Sequence, residues 1–120
     1  MTMDNGMTTP ENYDELEAKI RDWADDKEIP FKSNYLHQFE KFQEEAAELA
    51  EEIAKFNAGE NEMFDVLLEM ADCHITLINT LYLMNEHLSS ADILRLGYNK
   101  ISKRQGSMKD GKWVKDGSTG

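Results

Sequence analysis

The chain has 120 residues, enough for one domain with a hydrophobic core and too few for two domains of ordinary size. Its formal net charge of -11, from 24 acidic and 13 basic residues, excludes passive electrostatic binding to nucleic acid or to an anionic membrane, so an anionic substrate would need a bridging metal ion. The single cysteine, Cys73, cannot form an internal disulfide, and no uncharged apolar run is long enough to span a bilayer. These features predict a cytoplasmic protein that binds neither nucleic acid nor membrane.

The first two predicted helices are marked by apolar residues at helical spacing and by capping residues. Thr9-Pro10 supplies an N-cap and a first helical residue for the first helix, and Ile29-Pro30 ends it. Ser33 or Asn34 caps the second helix, whose apolar stripe ends near residues 57–59.

The third and fourth predicted helices follow after short links. Asn61 caps the third helix, which runs to about Leu88 and is apolar around most of its circumference, so we expect it to be buried on several sides. Ser89-Ser90 precedes the fourth helix, which Gly106 ends. In the tail, Asp110-Gly111 is compatible with a tight hairpin.

The elements together predict an all-α fold class with one domain. We expect a flexible N-terminus over residues 1–9, a four-helix domain over residues 10–106, and a C-terminal tail over residues 107–120 that is able to form a hairpin.

Two acidic clusters lie within the second and third helices, Glu44-Glu45-Ala46-Ala47-Glu48 and Glu69-Met70-Ala71-Asp72. In each cluster, two carboxylates three residues apart share a helix face. On antiparallel helices the four would converge, which is unfavourable without a strong positive charge between them, and hard oxygen ligands favour Mg²⁺ or Mn²⁺. Taken alone, either pair is better explained as a solvated or ion-paired face, whereas for the two pairs together a metal site is an equally good explanation. A narrow polar stripe also follows the third helix and consists of Asp65, Glu69, Asp72, Thr76 and Asn79.

Basic residues that could bind phosphate are few, and the sequence has no Gly-rich phosphate loop. The candidates are Lys41 on the acid-lined side of the second helix, and Lys100, Lys103 and Arg104 at the end of the fourth. On the residues alone, favourable charge at a helix C-terminus explains the last three equally well. The three histidines show no ligand spacing with one another or with Cys73, so a zinc site is not expected.

Several segments between roughly Ile20 and Lys115 share a known pattern. They are Asp22-Trp23-Ala24-Asp25, the run from Gln38 to Leu49, Glu69-Met70-Ala71-Asp72, the run from Tyr98 to Gly106, and the run from Met108 to Lys115. With these segments the chain resembles the MazG-like nucleoside triphosphate pyrophosphohydrolases, which belong to an all-α superfamily that also includes dimeric dUTPases. The last segment is similar to small phage and bacterial members.

The resemblance implies hydrolysis of a nucleoside triphosphate between the α and β phosphates, with Mg²⁺ as cofactor and Mn²⁺ able to replace it. The implied metal ligands are Glu45, Glu48, Glu69 and Asp72, and Glu44 or Glu48 would orient the attacking water. The implied phosphate-binding residues are Lys41, Asn99, Lys100 and Arg104, and weaker candidates for contacts to base or sugar are Gln38 and Trp23. Cys73-His74 departs from the aliphatic residues more usual after Asp72, and Thr76 and Asn79 continue the polar stripe; these departures bear on selectivity.

The resemblance also implies a homodimer or homotetramer in the cytoplasm of a bacterium or of a phage-infected host. The apolar circumference of the third helix agrees independently, because one small protomer cannot cover it. For the substrate we slightly prefer a purine such as dGTP or GTP, with dUTP or dCTP next. The alternatives are a non-catalytic acidic helical interaction module, or a dUTPase-type or phosphoribosyl-ATP pyrophosphohydrolase-type member of the same superfamily.

Overall fold

The computed structural model describes residues 11–117, which are mostly helical, so the predicted all-α class is confirmed. The elements in chain order are α1 (Tyr13–Asp26), α2 (Ile29–Lys32), α3 (Tyr35–Asn57), α4 (Met63–Met84), α5 (Ser90–Ile101), β1 (Gly106–Lys109) and β2 (Lys112–Lys115). The described residues divide into two compact units, one that ends at Ser90 and one that begins at Ala91. In the first unit α3 packs along α4, and α1 packs against α4 and α2.

The start of the first helix differs from the prediction. The carboxamide oxygen of Asn12 accepts the backbone N–H of Glu15 at 2.8 Å, so Asn12 is the N-cap and α1 begins at Tyr13, not at Pro10. Thr9 and Pro10 themselves lie outside the described residues.

Ile29-Pro30 was wrongly predicted to end the first helix. α1 already ends at Asp26, and Glu28 adopts a left-handed conformation with φ of 62°. Pro30 lies in the first turn of α2, where no helical hydrogen bond needs its missing N–H. The described part of the chain therefore has a fifth helix that the sequence pattern did not predict.

The α3–α4 hairpin positions the acidic residues. Asn34 caps α3 by accepting the backbone N–H of His37 at 2.8 Å, and Gly59, with φ of +75°, lies in the turn after α3. The cap of α4 is Glu62 and not Asn61, because Glu62 and Asp65 form a reciprocal capping box. The short turn between these two packed helices makes them antiparallel.

Asn61 has a different role from the predicted one. Its Nδ2 atom donates to the backbone carbonyl of Glu52 at 3.0 Å and to Glu52 Oε2 at 3.1 Å. It therefore fastens the turn to the last part of α3 and fixes the orientation of the Glu52 carboxylate.

The link after α4 is held out of the helix by α1. Arg21 donates to the backbone carbonyls of Glu86 at 2.8 Å and Leu88 at 2.5 Å, and its guanidinium lies 4.8 Å from the centre of the Tyr82 ring. The buried Glu17 accepts both the backbone N–H and the hydroxyl of Ser90. Because these contacts use the backbone of the link, α4 ends at Met84 and not at Leu88.

The second unit contains α5 and an antiparallel pair of strands. α5 ends at Ile101, earlier than the predicted Gly106, and Gly106 instead begins β1. A Cβ atom on Gly106 would lie 2.3 Å from the backbone oxygen of Val114, so only glycine fits at this position of the strand pair. Asp110 and Gly111 connect the strands with φ values of 51° and 80°, as a tight two-residue turn requires.

The apolar core of the described residues is small. Its buried members are Ala24, Val66, Cys73 and Ile78. Large apolar side chains of α4 are exposed, including Met63, Phe64, Leu67, Leu68, Leu77 and Met84. By length and composition alone α4 could also cross a membrane, a test that the core helix of a soluble protein passes equally well. These side chains leave a large apolar surface on α4.

Candidate metal centre and adjoining cavity

Three glutamates from the α3–α4 hairpin form a carboxylate cluster. Glu45 and Glu48 are separated by one turn of α3, and Glu69 faces them from α4. One carboxylate oxygen from each lies within 4.8 Å of the others, a spacing suited to a shared cation. The structure thus brings together three of the four predicted metal ligands.

Two oxygens of this cluster lack partners. Oε2 of Glu45 and Oε2 of Glu69 are shielded from solvent and accept no hydrogen bond from any described residue. Glu45 is only 8% exposed, whereas Glu48 is exposed and opens the cluster to solvent. Buried polar atoms normally have partners, so this donor set fits a divalent cation reached from the Glu48 side.

Burial and mutual repulsion disfavour ionisation of the cluster. Burial is the largest cause that raises the pKa of Glu45, followed by its contacts with Glu48 and the charge of Asp72, while Lys41 opposes the shift. Burial also raises the pKa of Glu69, with further contributions from the charges of Asp72 and Glu45. A bound cation would reverse this balance by favouring the ionised forms.

Asp72, the fourth predicted ligand, lies at the edge of the cluster. Its side chain is exposed, and it is outside the group of mutually close oxygens. Its charge nevertheless raises the pKa of both Glu45 and Glu69, which places it in their electrostatic neighbourhood. Asp72 therefore lies on the solvent side of the cluster, where its charge acts on both glutamates.

Lys41 supplies the positive charge beside the cluster. Its Nζ atom lies 3.3 Å from Glu44 Oε2 and 3.5 Å from Glu45 Oε1. The hydrogen bond to Glu44 is the largest cause that raises the pKa of Lys41, so the ammonium form is favoured. Glu44 itself is exposed and lies outside the close carboxylate cluster.

A cavity of about 440 Å³ adjoins these charged groups, within the size range of small-molecule sites. Its lining is Trp23, Ile29, His37, Gln38, Lys41, Glu45, Asp72, Ile75, Thr76 and Asn79. Five of these are predicted site residues: Trp23, Gln38, Lys41, Glu45 and Asp72. A second cavity of about 390 Å³ shares Trp23, Asp72 and Ile75 with it. The carboxylates thus lie beside concave space with both apolar and polar walls.

The remaining predicted phosphate-binding residues belong to the second unit. Asn99 and Lys100 are exposed near the end of α5, and Arg104 follows the helix with a half-buried side chain. Their role stays a prediction.

Sequence reasoning placed Asn79 in the polar stripe that bears on selectivity but gave it no contact with the substrate. In the structure Asn79 lines the cavity and is the most buried polar residue of the described part of the chain, at 2% exposure. Its spacing of seven residues from Asp72 puts both on one face of α4, and this spacing was the signal in the sequence that could have placed Asn79 beside the site.

Sequence reasoning assigned no role to Glu52. Its charge contributes to the raised pKa of Glu69, and Asn61 and Lys55 hold its carboxylate.

Comparisons of this chain with protein-family models, with curated proteins and with solved structures give no match. The site is therefore interpreted from its own geometry and from the residue pattern.

Proposed function

We propose that this protein is a Mg²⁺-dependent, MazG-like nucleotide pyrophosphohydrolase that converts a nucleoside triphosphate to the monophosphate and pyrophosphate. The observation that carries the proposal is the carboxylate cluster, in which buried oxygens of Glu45 and Glu69 have no partner. The adjoining cavity supports it, because Lys41 and Trp23 offer a cation for phosphate and an aromatic surface for a base.

Glu45, Glu48 and Glu69 would hold the metal, with Asp72 at the edge. When bound, Mg²⁺ supplies charge neutralisation at the phosphates and a lowered pKa for the attacking water. The water oxygen forms a bond to the α phosphorus while the bond from that phosphorus to the α–β bridging oxygen breaks. The exposed carboxylate of Glu48 or Glu44 orients the water and takes its proton.

The leaving pyrophosphate gains negative charge as the bridging bond breaks. Lys41 stabilises this charge, because its ammonium group is held at the cavity wall by Glu44 and Glu45. Asn99, Lys100 and Arg104 are candidates for phosphate binding on the basis of the sequence pattern alone. We assign Trp23 and Gln38 to the nucleoside, with a purine such as dGTP or GTP as the favoured substrate.

The proposal includes a cytoplasmic homodimer or homotetramer. Exposed Phe64, Leu67 and Leu68 support this assembly, since self-association would remove apolar surface of α4 from water. The net charge of -11 supports a nucleotide substrate that reaches the site with Mg²⁺.

The test is hydrolysis of a panel of ribonucleoside and deoxyribonucleoside triphosphates with Mg²⁺, Mn²⁺ or EDTA, with products separated by chromatography. We expect metal-dependent formation of monophosphate and pyrophosphate. Glu69→Gln keeps the size of the side chain and removes its charge, and should lower kcat by at least 100-fold. The matched control is Glu51→Gln, which removes the same charge from an exposed position on α3 and should leave turnover unchanged.

Release of single phosphates, or equal activity in Glu69→Gln and Glu51→Gln, would contradict the proposed reaction. Absence of turnover across the panel favours the non-catalytic interaction module. Turnover of dUTP alone or of phosphoribosyl-ATP alone would identify the corresponding alternative activity.

A further inference from the structure

Asn79 has a polar group that the protein itself does not use. The side chain is 2% exposed, and its Oδ1 atom accepts no hydrogen bond from any residue in the range 11–117. Asn79 also lines the 440 Å³ cavity beside the carboxylate cluster. An unpaired buried carbonyl destabilises a fold, so its position on a cavity wall points to a partner that enters from the cavity.

Other polar side chains of this cavity are already engaged. The Thr76 hydroxyl donates to the backbone carbonyls of Asp72 and Cys73 at 3.1 and 3.0 Å. Gln38 donates to the hydroxyl of Ser33 at 3.0 Å. Asn79 therefore differs from both neighbours in having a buried acceptor oxygen left over.

The cavity has both charged and uncharged lining residues. Asp72 lies seven residues before Asn79 on α4, a separation of about 10 Å along the helix axis. Asp72, Glu45 and Lys41 provide the charged part, whereas apolar Ile29 and Ile75 line the cavity together with Asn79. A nucleotide whose triphosphate is held by these charged residues would have its nucleoside in the cavity that Asn79 lines.

We infer that Asn79 accepts a hydrogen bond from an N–H group of the nucleobase and so determines which bases the enzyme accepts. This inference rests on the proposed function. A neutral carbonyl acceptor does not suit an ionised phosphate, which has no proton to donate, and the apolar walls suit a flat base. The sugar hydroxyls are the other donors of a nucleotide, and the experiment separates them from the base.

The experiment compares the wild type with Asn79→Leu, which has similar volume and no polar atoms. Removal of the unpaired oxygen should leave the fold intact. The kcat/KM values are measured for the four common deoxynucleoside triphosphates, for their 3′-deoxy analogues, and for deoxyribose 5′-triphosphate, which lacks a base. We expect the ratio between the best and the worst base to fall at least 10-fold in Asn79→Leu, mainly through KM for the best base.

Two further results are expected for base recognition. Turnover of the baseless triphosphate should be the same in wild type and Asn79→Leu, and the effect of removing the 3′-hydroxyl should also be the same. Thr80→Val is the matched control, because Thr80 follows Asn79 on α4 but is not among the lining residues of the cavity. Its hydroxyl donates to the backbone carbonyl of Thr76 within the same helix, so this variant should keep the wild-type ratio between bases. Asn79→Ser, which withdraws the oxygen from the cavity, provides a second variant if the leucine variant does not fold.

The outcomes distinguish this inference from the proposed function. An active wild type with an unchanged base ratio in the folded Asn79 variant overturns the role of Asn79 alone. An equal loss of selectivity in Thr80→Val, or loss of discrimination only at the 3′-hydroxyl, also overturns it. A wild type with no metal-dependent hydrolysis overturns the proposed function, and the inference with it.

Discussion

Replacing Glu45 by Gln should make the metal-free protein more stable and weaken its response to Mg²⁺. The carboxylate of Glu45 is buried, has an unpartnered oxygen and lies close to the carboxylate of Glu48. The glutamine keeps the shape of the side chain and removes its charge. A site built to bind a cation should show these two opposite effects.

The magnitude follows from the spacing of the charges. At the 4.8 Å limit for the oxygens of Glu45 and Glu48, two unit charges repel by about 1 kcal/mol in water and by about 3.5 kcal/mol at an effective dielectric constant of about 20. The exposure of Glu48 favours the lower part of this range, and loss of the Lys41 ion pair costs about 0.3–0.5 kcal/mol. We expect a net gain of about 1 kcal/mol, or about 4 °C in Tm for a chain of this size.

The assay is thermal denaturation in EDTA and across a Mg²⁺ titration. Because loss of even an outer-shell partner weakens metal binding by about 10–100-fold, loss of Glu45 should remove at least about 1.4 kcal/mol of stabilisation at saturating Mg²⁺. Glu51→Gln is the control for loss of one negative charge on α3. A Glu45→Gln variant with a lower Tm in EDTA and an unchanged Mg²⁺ response would refute the reasoning.

Three other predictions concern pH, folding and assembly. The pKa values of Glu45 and Glu69 are raised in the folded chain, so without metal the free energy of unfolding should rise as the pH falls from neutral towards about 4.5. In thermal unfolding, saturating Mg²⁺ should flatten this rise. A decrease in the stability of the metal-free protein over this pH interval would contradict the prediction. Glu17→Ala leaves the N–H of Ser90 without its acceptor and should destabilise the fold by about 3 kcal/mol in urea denaturation, whereas a loss below about 1 kcal/mol would argue against this role. Leu67→Glu should shift the sedimentation of the protein to the monomer, and a wild type that is monomeric at all concentrations would exclude the proposed assembly.

The sequence determined the all-α class and the two long helices that carry the acidic clusters. The apolar spacing along α3 and α4 is strong enough to set helix identity, and Asn34 is a good local cap. Boundaries that depend on distant contacts were wrong. α4 ends at Met84 because Arg21 binds the carbonyls that follow, and a side chain 65 residues away leaves no signal in the local pattern.

The candidate site shows the same division between local and distant information. Spacing along one helix puts Glu45 and Glu48 on one face, so their pairing could be predicted from the sequence. Only the packing of α3 on α4 decided that Glu69 completes the close cluster while Asp72 stays at its exposed edge. The unpartnered oxygen of Asn79 is likewise a property of the tertiary structure, because burial and missing partners arise only when the surrounding side chains take their positions.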